Sequence, residues 1–212
     1  MNIFRLAADL LHLGSIIILL LKIRQTGSCA GISFKTQALY LLVFVTRYLD
    51  LFFRFISIYN SLMKLFFIGT AGYIAYLMQV KHRPTYDASL DTFRAEFLVL
   101  GAALCALAFP DGWNLVDVLW SFSIYLEAVA ILPQLFQMTR TGEAENITSH
   151  YVFALGAYRA LYLVNWIYRY YNEGHVDIIA WVAGGVQTLL YADFFYIYFT
   201  RVLKGKHFKL PV

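Results

Sequence analysis

The sequence predicts an all-α membrane protein, and three observations support that prediction. The 212-residue chain is 60% hydrophobic and only 14% charged, and its mean hydropathy of +0.62 is far above that of soluble domains. Its apolar runs are long enough to cross a bilayer, which takes roughly 20 residues. Strand-like alternation is absent, and inside lipid a helix satisfies its own backbone groups. We therefore expect transmembrane helices surrounded by a lipid bilayer.

Seven apolar runs predict seven transmembrane helices. They lie at residues 2–22, 36–54, 61–79, 95–112, 114–137, 150–171 and 177–200. Lys and Arg then fall mainly in loops one, three and five and in the tail, so the positive-inside rule places the C-terminus in the cytosol. The N-terminus is luminal or extracellular. The same bias explains the net charge of +4 without a nucleic-acid partner, because the basic residues form no interleaved basic and aromatic stripe.

A weak internal repeat predicts how these helices are organised. A shift that aligns Thr26 with Thr141 also aligns Arg54 with Arg169, and such similarity is typical of folds built from duplicated units. A single linker helix between two three-helix units gives both units the same orientation in the membrane. The predicted arrangement of three plus one plus three helices has a first unit at 1–79, a linker helix at 95–112, a second unit at 114–200 and a cytosolic tail at 201–212.

Ionisable and polar residues inside the predicted helices are the candidate functional residues, since charges in a bilayer are costly. Arg5, Asp9 and His12 are spaced to form one helical stripe. Arg47, Asp50 and Arg54 have the same property in the second helix. Two further helices carry Asp117, Trp120, Glu127, Tyr158, Arg159, Tyr162, Asn165 and Arg169. We expect four helices to converge on one polar cavity.

The charge of this cavity predicts the chemistry of its ligand. Its luminal half holds more arginines than carboxylates, and guanidinium groups pair with carboxylates or phosphates through two parallel hydrogen bonds. His12, Glu127 and Arg159 lie nearer the middle of the membrane. Alternatives stay open for single residues, because Arg5, Arg54 and Arg169 could snorkel from helix ends and His12 could be a neutral packing residue.

Several stretches strongly resemble the KDEL receptors, also called ER lumen protein-retaining receptors. They are the region around Arg47-Tyr48, the helix from Tyr158-Arg159 to Arg169, and the tail Lys204-Gly205-Lys206-His207. The resemblance covers essentially the whole chain and extends to the opening Met1–Leu6, which suggests a vertebrate member. Ile131–Gln134 also resembles the proline-glutamine motif of the SWEET and PQ-loop folds, although the first repeat has Ile18-Leu19 at the matching positions. The resemblance implies a SWEET-like fold.

The resemblance implies a receptor that captures escaped ER-resident proteins in the Golgi by a C-terminal Lys-Asp-Glu-Leu signal and returns them in COPI vesicles. The expected location is therefore the Golgi and ER membranes and these vesicles. Arg47 and Tyr48 are expected to bind the terminal carboxylate. Arg5 and Arg169 are expected to bind the two acidic side chains, and Asp50 or Asp117, with Trp120, the lysine. The wider ligand-binding set adds Arg54, Arg159, Tyr162 and Asn165.

The resemblance also implies tighter binding in the acidic Golgi than in the ER. Histidine is the side chain whose ordinary pKa, about 6.5, lies in that range, so we expect His12 to sense protons together with Glu127, Tyr158 and Arg159. Protons are then the regulator, and we expect neither a cofactor nor a metal. Lys204, Gly205, Lys206 and His207 are expected to signal to the COPI coat, and Asp193 to pair with a basic group that holds the tail closed. A plain positive-inside anchor would have the same tail.

A SWEET-like transporter of small solutes is the main alternative function. It fits the helix count and Pro133, but neutral sugars need hydroxyl, amide and aromatic groups and not several arginines. We do not expect an enzyme, because the sequence shows no pattern of a serine or cysteine nucleophile with a base and no pair of catalytic carboxylates. The two cysteines, Cys29 in a polar loop and Cys105 in an apolar run, are expected to be free thiols.

Overall fold

The computed structural model describes residues 2–141, 143–144, 146–174, 176–200 and 208–209. Its regular secondary structure is helical apart from a pair of two-residue strands. The nine helices of the described residues are α1 (Ile3–Thr26), α2 (Phe34–Arg47), α3 (Ile58–Tyr76), α4 (Glu96–Ala108), α5 (Leu115–Val129), α6 (Leu132–Thr141), α7 (Asn146–Glu173), α8 (Ile178–Leu190) and α9 (Ala192–Thr200). The strands β1 (Glu143–Ala144) and β2 (Phe208–Lys209) pair in antiparallel fashion, with Glu143 opposite Lys209.

Short polar residues begin most of these helices, as capping preferences predict. Each accepts a hydrogen bond from a backbone N–H in the first turn. The capping residues are Asn2 for α1, Ser33 for α2, Ser57 for α3, Asn114 for α5 and Asp177 for α8. Helix α1 is followed by the capping residue Gly27, whose φ of 63° lies in the left-handed region that favours glycine.

Three helical segments are long and apolar enough to cross a bilayer, namely 3–26, 58–81 and 115–141. A fourth candidate is the pair α8 and α9, which is bent by 42° at its junction. These features confirm an all-α membrane protein. The full count of seven crossings and its division into three plus one plus three helices stay predictions. Cys29, which is buried, and Cys105, which is exposed, are free thiols as expected.

Three predicted helices are shorter or more broken than the sequence suggested. Helix α2 ends at Arg47, and a 3-10 turn over Leu49–Phe52 follows it, so the predicted helix over 36–54 is wrong beyond Arg47. Arg54 therefore does not continue a helical stripe from Arg47. The predicted helix over 114–137 is interrupted before Pro133, whose ring is tolerated in the first turn of α6 but not within a continuous helix. The last predicted helix is interrupted at Tyr191.

The chain divides into two compact units. The first consists of residues up to Ile32 and from Phe136 onward. In it, α1 packs along α7, and α8 and α9 also pack on α7. Gly184 on α8 permits a close approach to α7, since a Cβ there would lie 2.6 Å from a ring carbon of Trp166. The core of this unit includes Ala8, Ile16, Leu19, Ile23, Val152, Leu155, Ala183 and Tyr191.

A buried lysine links α1 to α7 at one end of this unit. Lys22 is 2% exposed, and its ammonium donates hydrogen bonds to the Thr148 hydroxyl (2.7 Å) and to the Ala30 carbonyl (3.0 Å). Both acceptors are neutral, and they replace part of the hydration that the ammonium loses on burial. Lys22 is therefore a structural residue of the first unit.

The second compact unit is formed by Ser33–Leu135. Helix α5 packs on α2 and on α4, and α3 packs on α2. Gln134, from the proline-glutamine motif, is fully buried and connects the end of this unit to the start of α2. Its side-chain oxygen accepts a hydrogen bond from the Ser33 backbone N–H (2.8 Å), and its backbone N–H donates to the Thr36 hydroxyl (3.0 Å). The core includes Leu39, Val43, Phe44, Phe67, Ile74, Ala102, Ala106 and Leu126.

A buried carboxylate fastens the connection between α3 and α4 to the start of α2. Asp91 is 2% exposed and accepts hydrogen bonds from the Ser33 hydroxyl (2.9 Å), the Lys35 backbone N–H (3.1 Å) and the Tyr86 hydroxyl (2.8 Å). Burial and the adjoining Asp91 raise the pKa of Tyr86 above its ordinary value. Nearby, hydrogen bonds from the Ser89 hydroxyl and backbone lower the pKa of Asp87.

Candidate functional site

Arg47 lies at the last residue of α2, and its guanidinium is bound on several sides by α5. Its Nε donates to the Ser123 hydroxyl (3.1 Å), and its Nη2 donates to the Ser123 carbonyl (3.0 Å). The remaining nitrogen, Nη1, forms an ion pair with Glu127. The Arg47 side chain is 15% exposed and that of Glu127 only 1%. Because both charges are largely removed from water, each depends on the other for compensation.

Asp50 lies one turn beyond Arg47 and is paired with a lysine from α3. The Lys64 ammonium is 2.5 Å from Asp50 Oδ2 and 5.9 Å from the centre of the Tyr48 ring. Tyr48 itself packs between Phe44 and Phe67. The 3-10 turn that follows α2 carries Asp50, so the unexpected end of α2 decides where this carboxylate lies.

The other candidates of the second unit have different surroundings. Asp117 lies in the first turn of α5, where its carboxylate accepts from the Asn114 side chain, which also caps the helix. A carboxylate at this position is favoured by the helix dipole. Trp120 is half-buried on the same helix. Arg54 is exposed beyond the 3-10 turn, and its backbone N–H donates to the Asp50 carbonyl (2.8 Å).

His12 of α1 lies face to face with an aromatic ring of α7 in the first unit. Its imidazole stacks on Tyr158 with ring centres 4.1 Å apart and planes inclined by 4°. The Arg159 guanidinium carbon lies 5.2 Å from the centre of the Tyr158 ring and 6.0 Å from that of Tyr162. All three of His12, Tyr158 and Arg159 are buried. Aromatic faces stabilise cations, so the Tyr158 and Tyr162 rings favour the charge on Arg159.

Polar contacts continue along the same two helices. The Tyr162 hydroxyl donates a hydrogen bond to Asp9, so a carboxylate of α1 lies beside the aromatic rings of α7. Asn165 is 2% exposed, and its side-chain oxygen accepts from the Asn2 side chain at 2.6 Å. The predicted stripe on α1 therefore faces the predicted stripe on α7. The spacing of each stripe predicts that its residues share one helix face. The packing of α1 along α7 brings the two faces together.

The two outer arginines of the first unit are less enclosed. Arg5 is exposed in the first turn of α1. Arg169 Nε forms an ion pair with Glu173 Oε2 at 2.7 Å, one turn further along α7, and the two side chains are 34% and 50% exposed. A pair so open to solvent contributes little to stability. Both arginines can therefore change partners at little cost.

The predicted residues are divided between the two compact units. The first unit contains Arg5, His12, Tyr158, Arg159, Tyr162, Asn165 and Arg169, and the second contains Arg47, Tyr48, Asp50, Arg54, Asp117, Trp120 and Glu127. That both sets line one cavity stays a prediction. Four residues that contact the predicted ones were not expected from the sequence: Asn2, Lys64, Ser123 and Glu173. Only the contact of Glu173 with Arg169 has a sequence signal, which is their i, i+4 spacing on one helix.

Two further expectations concern the cytosolic end and metals. Asp193 is exposed at the second residue of α9, and its pairing with a basic group stays a prediction. Lys204, Gly205, Lys206 and His207 lie outside the described residues. Within the described ranges, no three His, Cys, Asp or Glu side chains are grouped in a way that could hold a metal ion.

The fold defines a class, namely an all-α membrane protein with charged and aromatic side chains enclosed among its helices. Comparison with known proteins specifies the class further. The family model for the ER lumen protein retaining receptor matches residues 28–169. The chain is 61% identical to the ER lumen protein-retaining receptor of Drosophila melanogaster, 61% identical to receptor 2 of Danio rerio and 59% identical to receptor 2 of Homo sapiens. Each alignment covers all of both chains.

This chain belongs to the family of ER lumen protein-retaining receptors. Vertebrate receptors are among its relatives, as the resemblance predicted, and an insect receptor is equally similar. The family consists of receptors, which agrees with a protein that is not an enzyme, and the transporter alternative is not favoured.

Proposed function

We propose that this protein binds the C-terminal Lys-Asp-Glu-Leu signal of escaped ER proteins and returns them from the Golgi to the ER. Such a signal is an address that a receptor reads. The observation that carries the proposal is the position of Arg47, an enclosed guanidinium within a chain that matches this receptor family along its whole length. The proposal includes seven crossings in a SWEET-like arrangement, with the N-terminus in the lumen and the C-terminus in the cytosol.

Arg47 would bind the terminal carboxylate of the signal, with Tyr48 beside it. Glu127 binds one nitrogen of Arg47, and Ser123 contacts the others. A ligand carboxylate has the same charge and shape as the Glu127 carboxylate and can replace it at the guanidinium. Binding is therefore an exchange of one anion for another at Arg47, and Glu127 is released.

The remaining groups of the signal would find partners of opposite charge. Arg5 and Arg169 would bind the two acidic side chains, and Glu173 would leave Arg169 in the exchange. Asp50 or Asp117, together with Trp120, would bind the lysine. Arg54, Arg159, Tyr162 and Asn165 would complete the polar wall of the site.

His12 would make binding stronger at acidic pH. Arg159 lies beside the Tyr158 ring on which His12 stacks, so a proton on His12 adds a second cation to the same group of rings. Asp9 is the acidic side chain of this cluster, through Tyr162. A ligand with a surplus of carboxylates compensates the added positive charge, and by linkage the ligand-bound receptor then holds the proton more tightly.

The cytosolic end would connect ligand binding to vesicle sorting. We propose that Lys204 and Lys206, with Gly205 and His207, are read by the COPI coat, and that Asp193 helps to hold the tail closed until the signal is bound. The receptor would then cycle among the Golgi, the COPI vesicles and the ER. Replacing Lys204 and Lys206 by Ser should stop Golgi-to-ER return and leave peptide affinity unchanged, and weakened affinity would contradict this division of roles.

A titration of the purified protein tests the proposed function directly. A Lys-Asp-Glu-Leu peptide and its C-terminal amide are added at pH 5.4, and the affinity of each is measured by calorimetry. We expect the free carboxylate to bind and the amide to bind at least about a hundredfold more weakly, because the amide leaves a desolvated guanidinium without a second charge. Equal affinities, or no binding of either peptide, would refute the proposal.

A further inference from the structure

Lys64 lies on the buried face of α3, and it is a charged residue that the sequence analysis did not include in the site. The residue is 8% exposed. Its ammonium is held between the Asp50 carboxylate, at 2.5 Å, and the face of the Tyr48 ring. All three groups belong to the same compact unit, Ser33–Leu135.

These surroundings are the ones that a ligand ammonium would require. A carboxylate on one side and an aromatic face on the other are both attractive to a lysine side chain. Asp50 is also a proposed acceptor for the lysine of the retrieval signal. The protein's own Lys64 therefore already occupies the position that this lysine would take.

We propose that Lys64 is an internal competitor for the lysine of the signal and thereby determines the receptor's specificity at that position. The inference rests on the proposed function. A ligand lysine has to displace the Lys64 ammonium from Asp50 or share the carboxylate with it. A neutral ligand side chain leaves the Lys64–Asp50 pair intact and gains nothing from it.

The Asp50 side chain is 31% exposed, which gives the incoming lysine a route to the carboxylate. Oδ1 itself is buried and accepts no hydrogen bond from any residue in the described ranges. A rotation of the carboxylate would present Oδ1 to the ligand ammonium while Lys64 still holds Oδ2. Repulsion between the two ammonium groups then favours the departure of Lys64, whose flexible four-carbon stem allows it to move.

The competition limits how strongly the receptor prefers lysine to a neutral residue. In the wild type, the gain from the new ion pair is reduced by the loss of the old one. Without Lys64, Asp50 is a partly buried carboxylate with no ammonium, and a cationic ligand relieves that cost better than a neutral one. Specificity is a difference between two affinities, so removal of the competitor increases that difference.

The test compares two peptides on the same preparation of each variant. The affinities of Lys-Asp-Glu-Leu and Ala-Asp-Glu-Leu are measured at pH 5.4 for the wild type and for Lys64→Met. We expect the ratio of their dissociation constants, Ala over Lys, to increase by about tenfold or more in Lys64→Met, since hydrogen bonds to charged groups are individually strong. The ratio does not depend on the fraction of protein that is folded, because both peptides meet the same sample. Lys64→Gln, which keeps a polar side chain without the charge, should increase the ratio in the same direction.

Two controls isolate the competition from a general effect of the mutation. Lys64→Arg keeps the positive charge, and its ratio should stay close to that of the wild type. In an Asp50→Asn background, Lys64→Met should change the ratio little, because there is no carboxylate for which to compete.

The outcomes separate this inference from the proposed function. An unchanged ratio in Lys64→Met and Lys64→Gln would overturn the inference, and a smaller ratio would overturn it in favour of a role for Lys64 in positioning Asp50. If the wild type binds neither peptide, the proposed function itself fails.

Discussion

Arg47 of α2 and Glu127 of α5 form an enclosed ion pair within one compact unit, and Ser123 binds the other nitrogens of the guanidinium. The sequence analysis had assigned these residues to different tasks, Arg47 to the ligand carboxylate and Glu127 to proton sensing. Their contact joins the tasks, because a carboxylate that binds Arg47 has to replace Glu127. Ligand recognition and the release of a buried acid thus become one event in the proposed mechanism.

Arg47→Lys should weaken binding of Lys-Asp-Glu-Leu by about 10- to 100-fold at pH 5.4. A lysine has no planar fork, so it cannot bind Ser123 and a carboxylate in the same way. The ratio of the affinities of the free-carboxylate peptide and its C-terminal amide should also decrease, and calorimetry of both peptides would measure this ratio. Arg140→Lys, at an exposed position near the end of α6, serves as the control and should bind both peptides as the wild type does. A preserved preference in Arg47→Lys would show that another group receives the carboxylate.

His12→Ala should flatten the dependence of peptide affinity on pH between 5.4 and 7.4. The wild type should bind more tightly as pH falls, by up to about tenfold per pH unit for one coupled proton. The sign follows from linkage, since a ligand that binds better in acid must stabilise the protonated receptor. His82→Ala, in the segment after α3, is the matched control and should keep the wild-type slope. An equally steep slope in His12→Ala would assign the proton to another group.

Asp91→Ala should destabilise the protein by about 3 kcal/mol, because the Ser33 and Tyr86 hydroxyls and the Lys35 backbone lose their shared acceptor. Thermal unfolding of the detergent-solubilised protein measures the effect. Asp87→Ala, at an exposed position in the same segment, should change the unfolding temperature far less. Similar losses in both variants would mean that the buried hydrogen bonds of Asp91 are not the cause.

Tyr86→Phe should cost about 1 kcal/mol, and the cost should be constant from pH 6 to pH 9. The folded protein raises the pKa of Tyr86 above its unfolded value of 10.0, first by burial and then through Asp91. The contribution of the neutral hydroxyl is therefore complete below pH 10 and is lost only as the pH rises through the higher folded pKa. Thermal unfolding of both proteins at several pH values checks this, and a cost that disappears below pH 9 would contradict it.

Lys22→Met should destabilise the first compact unit by about 2–3 kcal/mol, because the Ala30 carbonyl and the Thr148 hydroxyl lose a charged donor. Thr148→Val removes one of the two acceptors and should cost less. Lys81→Met, which replaces an exposed lysine after α3, is the control for loss of charge. The unfolding temperatures of the wild type and the three variants show the order of their stabilities. A Lys22→Met variant as stable as the wild type would show that the ammonium does not stabilise the fold.

Composition and local patterns were sufficient to predict the helical membrane fold, and the resemblance of several stretches was sufficient to predict the family. The helical fold depends on hydrophobicity and on neighbours three or four residues apart, which the sequence displays directly. The polar faces of α1 and α7 were predictable for the same reason. Arg5, Asp9 and His12 share one helix face by spacing alone, and so do Tyr158, Tyr162, Asn165 and Arg169.

The end of α2 at Arg47 was not predictable in this way. Neither Gly nor Pro occurs between Arg47 and Ser57 to end the helix, and the apolar periodicity continues to Arg54. The backbone instead forms a 3-10 turn, which carries Asp50 to the Lys64 ammonium. A helix without a local stop signal ends where packing favours another conformation.

The sequence by itself determined most of the charged residues that this protein places within its apolar segments, because charges are costly in a bilayer and stand out there. Only the tertiary structure decided how they are paired, Glu127 with Arg47 and Lys64 with Asp50. Partners on different helices are brought together by packing between segments far apart in the chain, and no spacing in the sequence specifies that contact.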